Sequence, residues 1–293
     1  MKAKLINRRH FIKMSSSAAA ALGLSQFLFT KEVFAAGPNA KKPAVIWLEA
    51  QDCTGCTESV LSSLTPAPID VLLDTINLQY HETVMSGTGY VAESALQAAI
   101  QEGGYILVIE GAIPAADKRF MKVAGKPVED TFIEASRNAS AIIAIGACAS
   151  YGGICRGGES DGQGAEYFLD KHGVSKTLIN LPGCPLHPQW FYETVIDFLN
   201  GKNINLDSNK RPTSIYGQKV HRNCFRRGTN LCLKSQGCKG MWTKSNCPTL
   251  KWNDGVNWCI GSGAPCAGCT EPAFYDQISP LYTKKFISSY YPK

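Results

Sequence analysis

The sequence predicts an α/β protein: a doubly wound parallel sheet wrapped by helices, followed by a mostly irregular, cysteine-rich segment. Three observations predict it. Short apolar runs alternate with helical patterns as far as Gly201. Beyond Lys202 that alternation gives way to Gly, Pro, Asn and aromatic residues. Twelve cysteines are placed at strand ends in the first part and in loops in the second, which is too many to be incidental.

Residues 1–35 read as an address rather than as part of the fold. Arg8 and Arg9 precede the modestly apolar "MSSSAAAALGLSQFLF", and "VFAA" offers Val33 and Ala35 as the small residues of a cleavage site. The run is too short and too rich in serine to span a membrane. "RRHFIK" resembles a twin-arginine signal, read by an export machinery that carries folded proteins to the periplasm. A chain on that route acquires its metal in the reducing cytoplasm, so export and thiolate ligands are compatible. Much of the formal net charge of +6 also lies here: Lys2, Lys4, Arg8, Arg9, Lys13 and Lys31 stand against Glu32 alone. The remainder is nearly neutral, and no nucleic-acid partner is expected.

From residue 36 to 201 the strand candidates are "PAVIWLEA" (43–50), "YILVIEG" (105–111), "AIIAIGA" (141–147) and "TLINLPG" (177–183). Helical patterns fall at 91–103, 127–138 and 188–201, the last closed by Gly201. Strands alternating with helices argue for a parallel sheet, whose strand ends share one edge. Cys53 and Cys56 follow the first strand, Cys148 the third and Cys184 the fourth. Four thiolates from three loops thus converge on one edge, a set suited to zinc or to an iron–sulfur cluster. Buried inert cysteines are the plainer alternative. Glu110 ends a strand on the same edge, as a hydrogen-bonding or proton-handling group or as an ordinary loop carboxylate. Glu58 has the same two readings. "GYVAES" and "GACASYGGICRGG" lack a full nucleotide fingerprint and read as turns.

Residues 202–293 are too irregular to be ordered by an apolar core alone, and bound metal would serve. His221, Cys224, Cys232 and Cys238 form one four-ligand set; Cys247, Cys259, Cys266 and Cys269 form another. Only Cys155 is left over. Neither C-x-x-C is followed by His, so no covalent haem is expected. Several clusters in a row without a substrate pocket make an electron wire, each cluster tuned by ligand charge and burial. Lys219 to Lys251 contains eight Lys or Arg and no acid, which reads either as a docking face or as a solvated basic surface.

The motifs "CTGCTES", "VIEGAIP", "GACASYGG", "LPGCP", "VHRNC", "GCKG", "NCP", "KWNDG" and "PCAGCTEP" together resemble the small, electron-transferring subunit of nickel–iron hydrogenases. The resemblance covers the whole mature chain. It implies a flavodoxin-like domain followed by an iron–sulfur cluster domain. Cys53, Cys56, Cys148 and Cys184 would hold a proximal 4Fe–4S cluster. His221, Cys224, Cys232 and Cys238 would hold a distal 4Fe–4S cluster, and Cys247, Cys266 and Cys269 a medial one. Cys259 stands where standard members carry Pro and the selenium-containing branch carries Cys. That makes the branch the leading sub-assignment and a medial 4Fe–4S cluster the expectation over 3Fe–4S. The stretch between Cys224 and Cys232 is shorter than in many members, which alters the surface around the distal cluster. Oxygen-tolerant relatives add two cysteines at positions matching Gly55 and Gly153, so no tolerance from that source is expected, and Cys155 is not expected to be a ligand.

The resemblance further implies a heterodimer with a large subunit that holds the nickel–iron centre, no catalytic residue on this chain, and a periplasmic multihaem c-type cytochrome as acceptor. The tail after "EPAFYDQI" contains no apolar span, so no membrane segment is expected. Two rivals remain at this point: a cluster subunit of the quinone-reductase type, which lacks the second cysteine-rich half, and a secreted disulfide-linked binding protein.

Overall fold

The continuous apolar runs become strands because both faces of a parallel sheet are covered by helices. The computed structural model describes residues 42–68 and 75–274, and the signal segment lies outside them. Five strands, β1 (Ala44–Glu49), β2 (Asn77–His81), β3 (Ile106–Glu110), β4 (Ala141–Ile145) and β5 (Leu178–Leu181), pair in parallel in the order β2-β1-β3-β4-β5. This is the flavodoxin-like order, and its direction reverses between β1 and β3.

The helices are α1 (Gly55–Leu61), α2 (Tyr90–Glu102), α3 (Val128–Asn138), α4 (Gly146–Tyr151), α5 (Ala165–Lys171) and α6 (Pro188–Leu199). Alternate strand residues feed two cores. Ile46, Leu48, Leu107, Ile109 and Ile142 pack with Leu96, Phe132 and Phe168 on one face. Val45, Trp47, Val108, Ile143 and Leu181 pack with Val60, Trp190 and Phe191 on the other. Gly201, in the left-handed region at φ +65°, ends α6 as expected, with Lys202 N donating to Asp197 O at 3.0 Å.

Three features depart from the sequence expectation. β2 was not anticipated; as an edge strand with Asn77 exposed it lacks a continuous apolar run. The third expected strand stops at Ile145, because Gly146 turns at φ +80° into α4. α1 and α5 are each of seven residues, too short to show a helical period.

Among the described residues after α6 only short helical turns remain, including Thr213–Tyr216, Val220–Asn223, Leu233–Gln236 and Cys247–Leu250. Single polar bonds fasten this segment to the sheet. Asn180 N donates to Lys210 O at 2.8 Å, Tyr216 Oη to Pro182 O at 2.9 Å and Trp190 Nε1 to Asn246 Oδ1 at 2.8 Å. Its own apolar cluster is small: Val220, Cys224, Leu233, Cys238, Trp258 and Ile260. Among the described residues no helix is long and apolar enough to cross a membrane.

Candidate functional site

The loops leaving β1, β4 and β5 bring the first cysteine set to the carboxyl edge of the sheet. Cys53 precedes α1 and Cys56 lies within it, Cys148 lies in α4, and Cys184 follows β5. Burial pushes the Cys56 thiol well up, and the adjoining Glu110, Cys184 and Cys53 push it further. Burial and neighbouring Cys53 raise Cys184. Cys148 is raised first by the Cys155 thiol, then by burial, and also by Cys184. Buried thiols without a nearby cation stay protonated, and a bound metal converts them to thiolates.

Two glycines keep the space beside these sulfurs free. A Cβ on Gly146 would lie 2.6 Å from Cys56 Sγ, and one on Gly153 would lie 2.7 Å from Cys148 Sγ. A Cβ on Gly55 would stand 3.0 Å from Cys53 Sγ, so both glycines singled out in the sequence border thiols of the set. Leu186 N donates to Cys56 Sγ at 3.5 Å, the kind of bond that tunes a thiolate ligand. The donor chemistry and the cleared space fit an iron–sulfur cluster.

Glu110 explains how the Cys53–Cys56 loop is held. Across the switch point from β1, its carboxylate accepts from Cys56 N at 2.9 Å, Thr57 N at 3.1 Å, Thr57 Oγ1 at 2.6 Å and Trp47 Nε1 at 3.3 Å. Burial nevertheless lifts its carboxyl to about 6. His81 completes the chain: its Nδ1 accepts from Thr83 N at 3.2 Å, which places the ring proton on Nε2, 3.2 Å from Thr57 Oγ1. Burial lowers His81 to about 4, so the ring is neutral. Thr57, Trp47 and His81 escaped the sequence reading. Only the adjacency of Thr57 to Cys56 hinted at a role. Glu58 faces a groove of about 640 Å³ that Gly55, Pro185, His187, Trp252 and Asp254 also line.

Cys247, Cys259, Cys266 and Cys269 lie together. Burial raises Cys247, to which Cys259 adds; burial lifts Cys266 to about 12, with Cys238 and Cys247 adding; and burial pushes Cys269 well up, with Cys247 and Cys266 adding. The "IGSGAP" loop turns back on itself, with Ala264 N donating to Cys259 O at 2.9 Å. Ser245 Oγ stands 3.0 Å from Cys247 Sγ.

In the remaining set, His221 N donates to Gly240 O at 2.8 Å, and a Cβ on Gly240 would lie 3.5 Å from Cys238 Sγ, so His221 and Cys238 adjoin through Gly240. Cys224 and Cys232 close a loop of successive turns. The sets also touch one another. The Cys184 backbone and thiol both act on Cys269, and Cys266 N donates to Cys238 Sγ at 3.3 Å. All twelve cysteines are free thiols, and Cys155 Sγ donates to Gln51 O at 3.4 Å. Among the described residues no three His, Cys, Asp or Glu side chains crowd closely enough for a single metal ion. In a cluster each thiolate binds its own iron, so its ligands stand wider apart.

Residues 53–198 match the family model for the NADH ubiquinone oxidoreductase 20 Kd subunit, and residues 216–282 match that for the C-terminal part of the NiFe/NiFeSe hydrogenase small subunit. The first match alone suits the quinone-reductase alternative; the second falls on the cysteine-rich half and does not. The periplasmic NiFe hydrogenase small subunit of Solidesulfovibrio fructosivorans is 37% identical over 94% of this chain and 93% of its own length. The periplasmic NiFeSe hydrogenase small subunit of Desulfomicrobium baculatum is 34% identical over 94% of this chain and 98% of its own. The crystal structure of a reduced, active Ni-Fe-Se hydrogenase from Desulfomicrobium baculatum superposes with a TM-score of 0.78 at 32% identity, covering 84% of this chain and 100% of that one.

Proposed function

The chain belongs to the NiFe/NiFeSe hydrogenase small-subunit family, and from that premise we propose that it relays electrons through three iron–sulfur clusters in the periplasm. As a hydrogenase small subunit it is the electron-transfer component of a heterodimer with a large subunit. The observation that carries the finer reading is the contact between sets, Cys184 to Cys269 and Cys266 to Cys238, which makes a series rather than three isolated sites. When bound, the clusters supply one-electron steps. This chain's residues hold them: Cys53, Cys56, Cys148 and Cys184 the proximal 4Fe–4S, Cys247, Cys259, Cys266 and Cys269 the medial, His221, Cys224, Cys232 and Cys238 the distal 4Fe–4S. Cys155 is not a ligand. The functional division falls between residues 36–201 and 202–293.

The nickel–iron centre belongs to the large subunit, which docks on the carboxyl edge of the sheet. Exposed Cys53 and Cys184 lie there, and the segments following β2, β3 and β4 carry exposed Tyr90, Val91, Phe120 and Ile154. The isolated chain is therefore expected to contain about twelve iron and as many acid-labile sulfides yet show no dihydrogen oxidation with a dye acceptor. Turnover by the chain alone, or a sulfide content near zero, would refute the reading. The acceptor is a c-type cytochrome. Export uses the twin-arginine route, so Arg8→Lys with Arg9→Lys is expected to hold the precursor in the cytoplasm; normal periplasmic activity of that variant would refute the route.

Cys259 makes the medial cluster 4Fe–4S, in keeping with the selenium-containing branch. Oxidised enzyme is expected to give no stoichiometric three-iron paramagnetic resonance signal, whereas Cys259→Pro is expected to give one. A full three-iron signal in the unmodified protein would overturn the assignment.

A further inference from the structure

The loop between Cys224 and Cys232 and its flanks form a surface whose charge no described carboxylate cancels. Of the eight cations between Lys219 and Lys251, Arg222, Arg226, Arg227 and Lys234 form no ion pair with any described carboxylate. Two of the arginines are fixed instead by backbone carbonyls: Arg226 Nη1 donates to Leu231 O at 3.3 Å and Arg227 Nη1 to Arg222 O at 3.3 Å. A carbonyl orients a guanidinium without neutralising it. Glu271 is occupied elsewhere, by Arg211 at 3.2 Å and the Lys244 amide at 2.6 Å.

Within the basic rim stand two exposed apolar side chains, Phe225 at 62% and Leu231 at 60% exposure. The Arg226 guanidinium lies 5.4 Å from the Phe225 ring centroid. The backbone beneath is turned on itself: Arg227 N donates to Cys224 O at 3.0 Å, Thr229 N to Arg226 O at 3.2 Å and Cys232 N to Thr229 O at 3.2 Å. A fixed apolar centre with a charged rim is the anatomy of a docking patch, and a pre-ordered loop loses little entropy when a partner binds.

We propose that this surface docks a redox protein through an acidic face, so that the acceptor is selected by carboxylates opposing Arg222, Arg227 and Lys234. The proposal rests on the relay reading above, because His221, Cys224, Cys232 and Cys238 lie under the patch and electrons must leave there. That requirement is what favours a redox protein over an anionic membrane surface, which accepts no electrons. Opposed charge of this kind accelerates encounter and loses its effect as salt shortens the Debye length.

The test uses the intact heterodimer under dihydrogen and one monohaem cytochrome in two forms, native lysine-rich and fully succinylated, so that charge changes and the haem does not. At low salt the succinylated form is expected to be reduced about tenfold faster or more, the advantage fading at roughly 0.3 M salt. The double variant Arg222→Glu/Lys234→Glu is expected to reverse that preference. A second double variant, Arg227→Glu/Lys234→Glu, is expected to do the same, which guards against a local effect beside His221. Faster reduction of the lysine-rich form, or equal rates at every salt concentration, overturns the proposal. So does tight binding to vesicles of anionic phospholipid without any carrier preference, which would assign the patch to a membrane. Reduction of a small neutral dye needs no docked protein. Its loss in the unmodified heterodimer marks failure of the relay reading itself, and the docking proposal then falls with it.

Discussion

Arg211→Met is expected to cost about 3–5 kcal/mol, because it removes one member of a buried charge set and leaves the others unpaired. The Arg211 side chain is 1% exposed; it pairs with Asp207 at 2.8 Å and Glu271 at 3.2 Å, and its Nη1 donates to Thr270 O at 2.8 Å. Asp207 also accepts from the Arg211 amide at 3.0 Å, so the guanidinium and its own turn are one unit. Through Thr270 and Glu271 the same side chain reaches the segment just after Cys269, joining the loop beside β5 to the end of the cysteine-rich half. The measurement is the denaturation midpoint of the purified heterodimer, expected to fall by on the order of 10 °C. Adding Asp207→Asn and Glu271→Gln to Arg211→Met is expected to recover part of the loss, since no buried charge is then left alone. A single variant within 1 kcal/mol of the unmodified protein would show that the set is not a structural clamp.

Glu110→Ala is expected to remove the iron proposed for the first cysteine set before it unfolds the chain. The substitution leaves Cys56 N–H, Thr57 N–H, Thr57 O–H and Trp47 Nε1–H without their acceptor. A buried donor without a partner costs about 1–3 kcal/mol, and water entering the space left behind recovers part of that. The expected net loss is about 3–5 kcal/mol, concentrated on the start of α1 where Cys56 sits. Glu110→Gln keeps the shape but turns one acceptor into a donor facing donors, and is expected to fall between the two. Iron and sulfide per chain, with low-temperature paramagnetic resonance of the reduced protein, read the effect. Full iron content and unaltered spectra in Glu110→Ala would show that the loop holds itself.

The parts of this fold legible in the sequence are those whose signal is local. β1, β3, β4 and β5 are buried on both faces, so their apolar runs are continuous and stand out. β2, reading Asn-Leu-Gln-Tyr-His, lies at the sheet edge and carries no such run. Cys53, Cys56, Cys148 and Cys184 stood out in the sequence because they follow strand ends, whereas the seven cysteines from Cys224 to Cys269 lie beyond the last strand and could be grouped only by spacing. Glu110 was visible as a strand-end carboxylate, but its partners lie 53 to 63 residues away and depend on which strands pair. Arg211 sits in "NKRPTS", where nothing local separates it from an ordinary surface arginine. Likewise, spacing alone could not say that Cys184 adjoins Cys269, because that contact is made only when the irregular half folds back against β5.

The wall around Cys56 has a consequence for the order of events during synthesis. Leu186 N reaches Cys56 Sγ across 130 residues, Ser59 Oγ reaches Leu186 O across 127, and Tyr192 Oη reaches Val60 O across 132. Contacts this distant in sequence form late, after nearer pairings have closed most of the intervening chain. A ribosome that has released only β1 to β4 therefore presents Cys53, Cys56 and Cys148 without their fourth thiol or the Leu186 amide. The thiol set is therefore complete only once α6 has settled against α1, where Tyr192 Oη donates to Val60 O at 2.9 Å, and a chain that stalls short of that point presents three of the four thiols without the fourth.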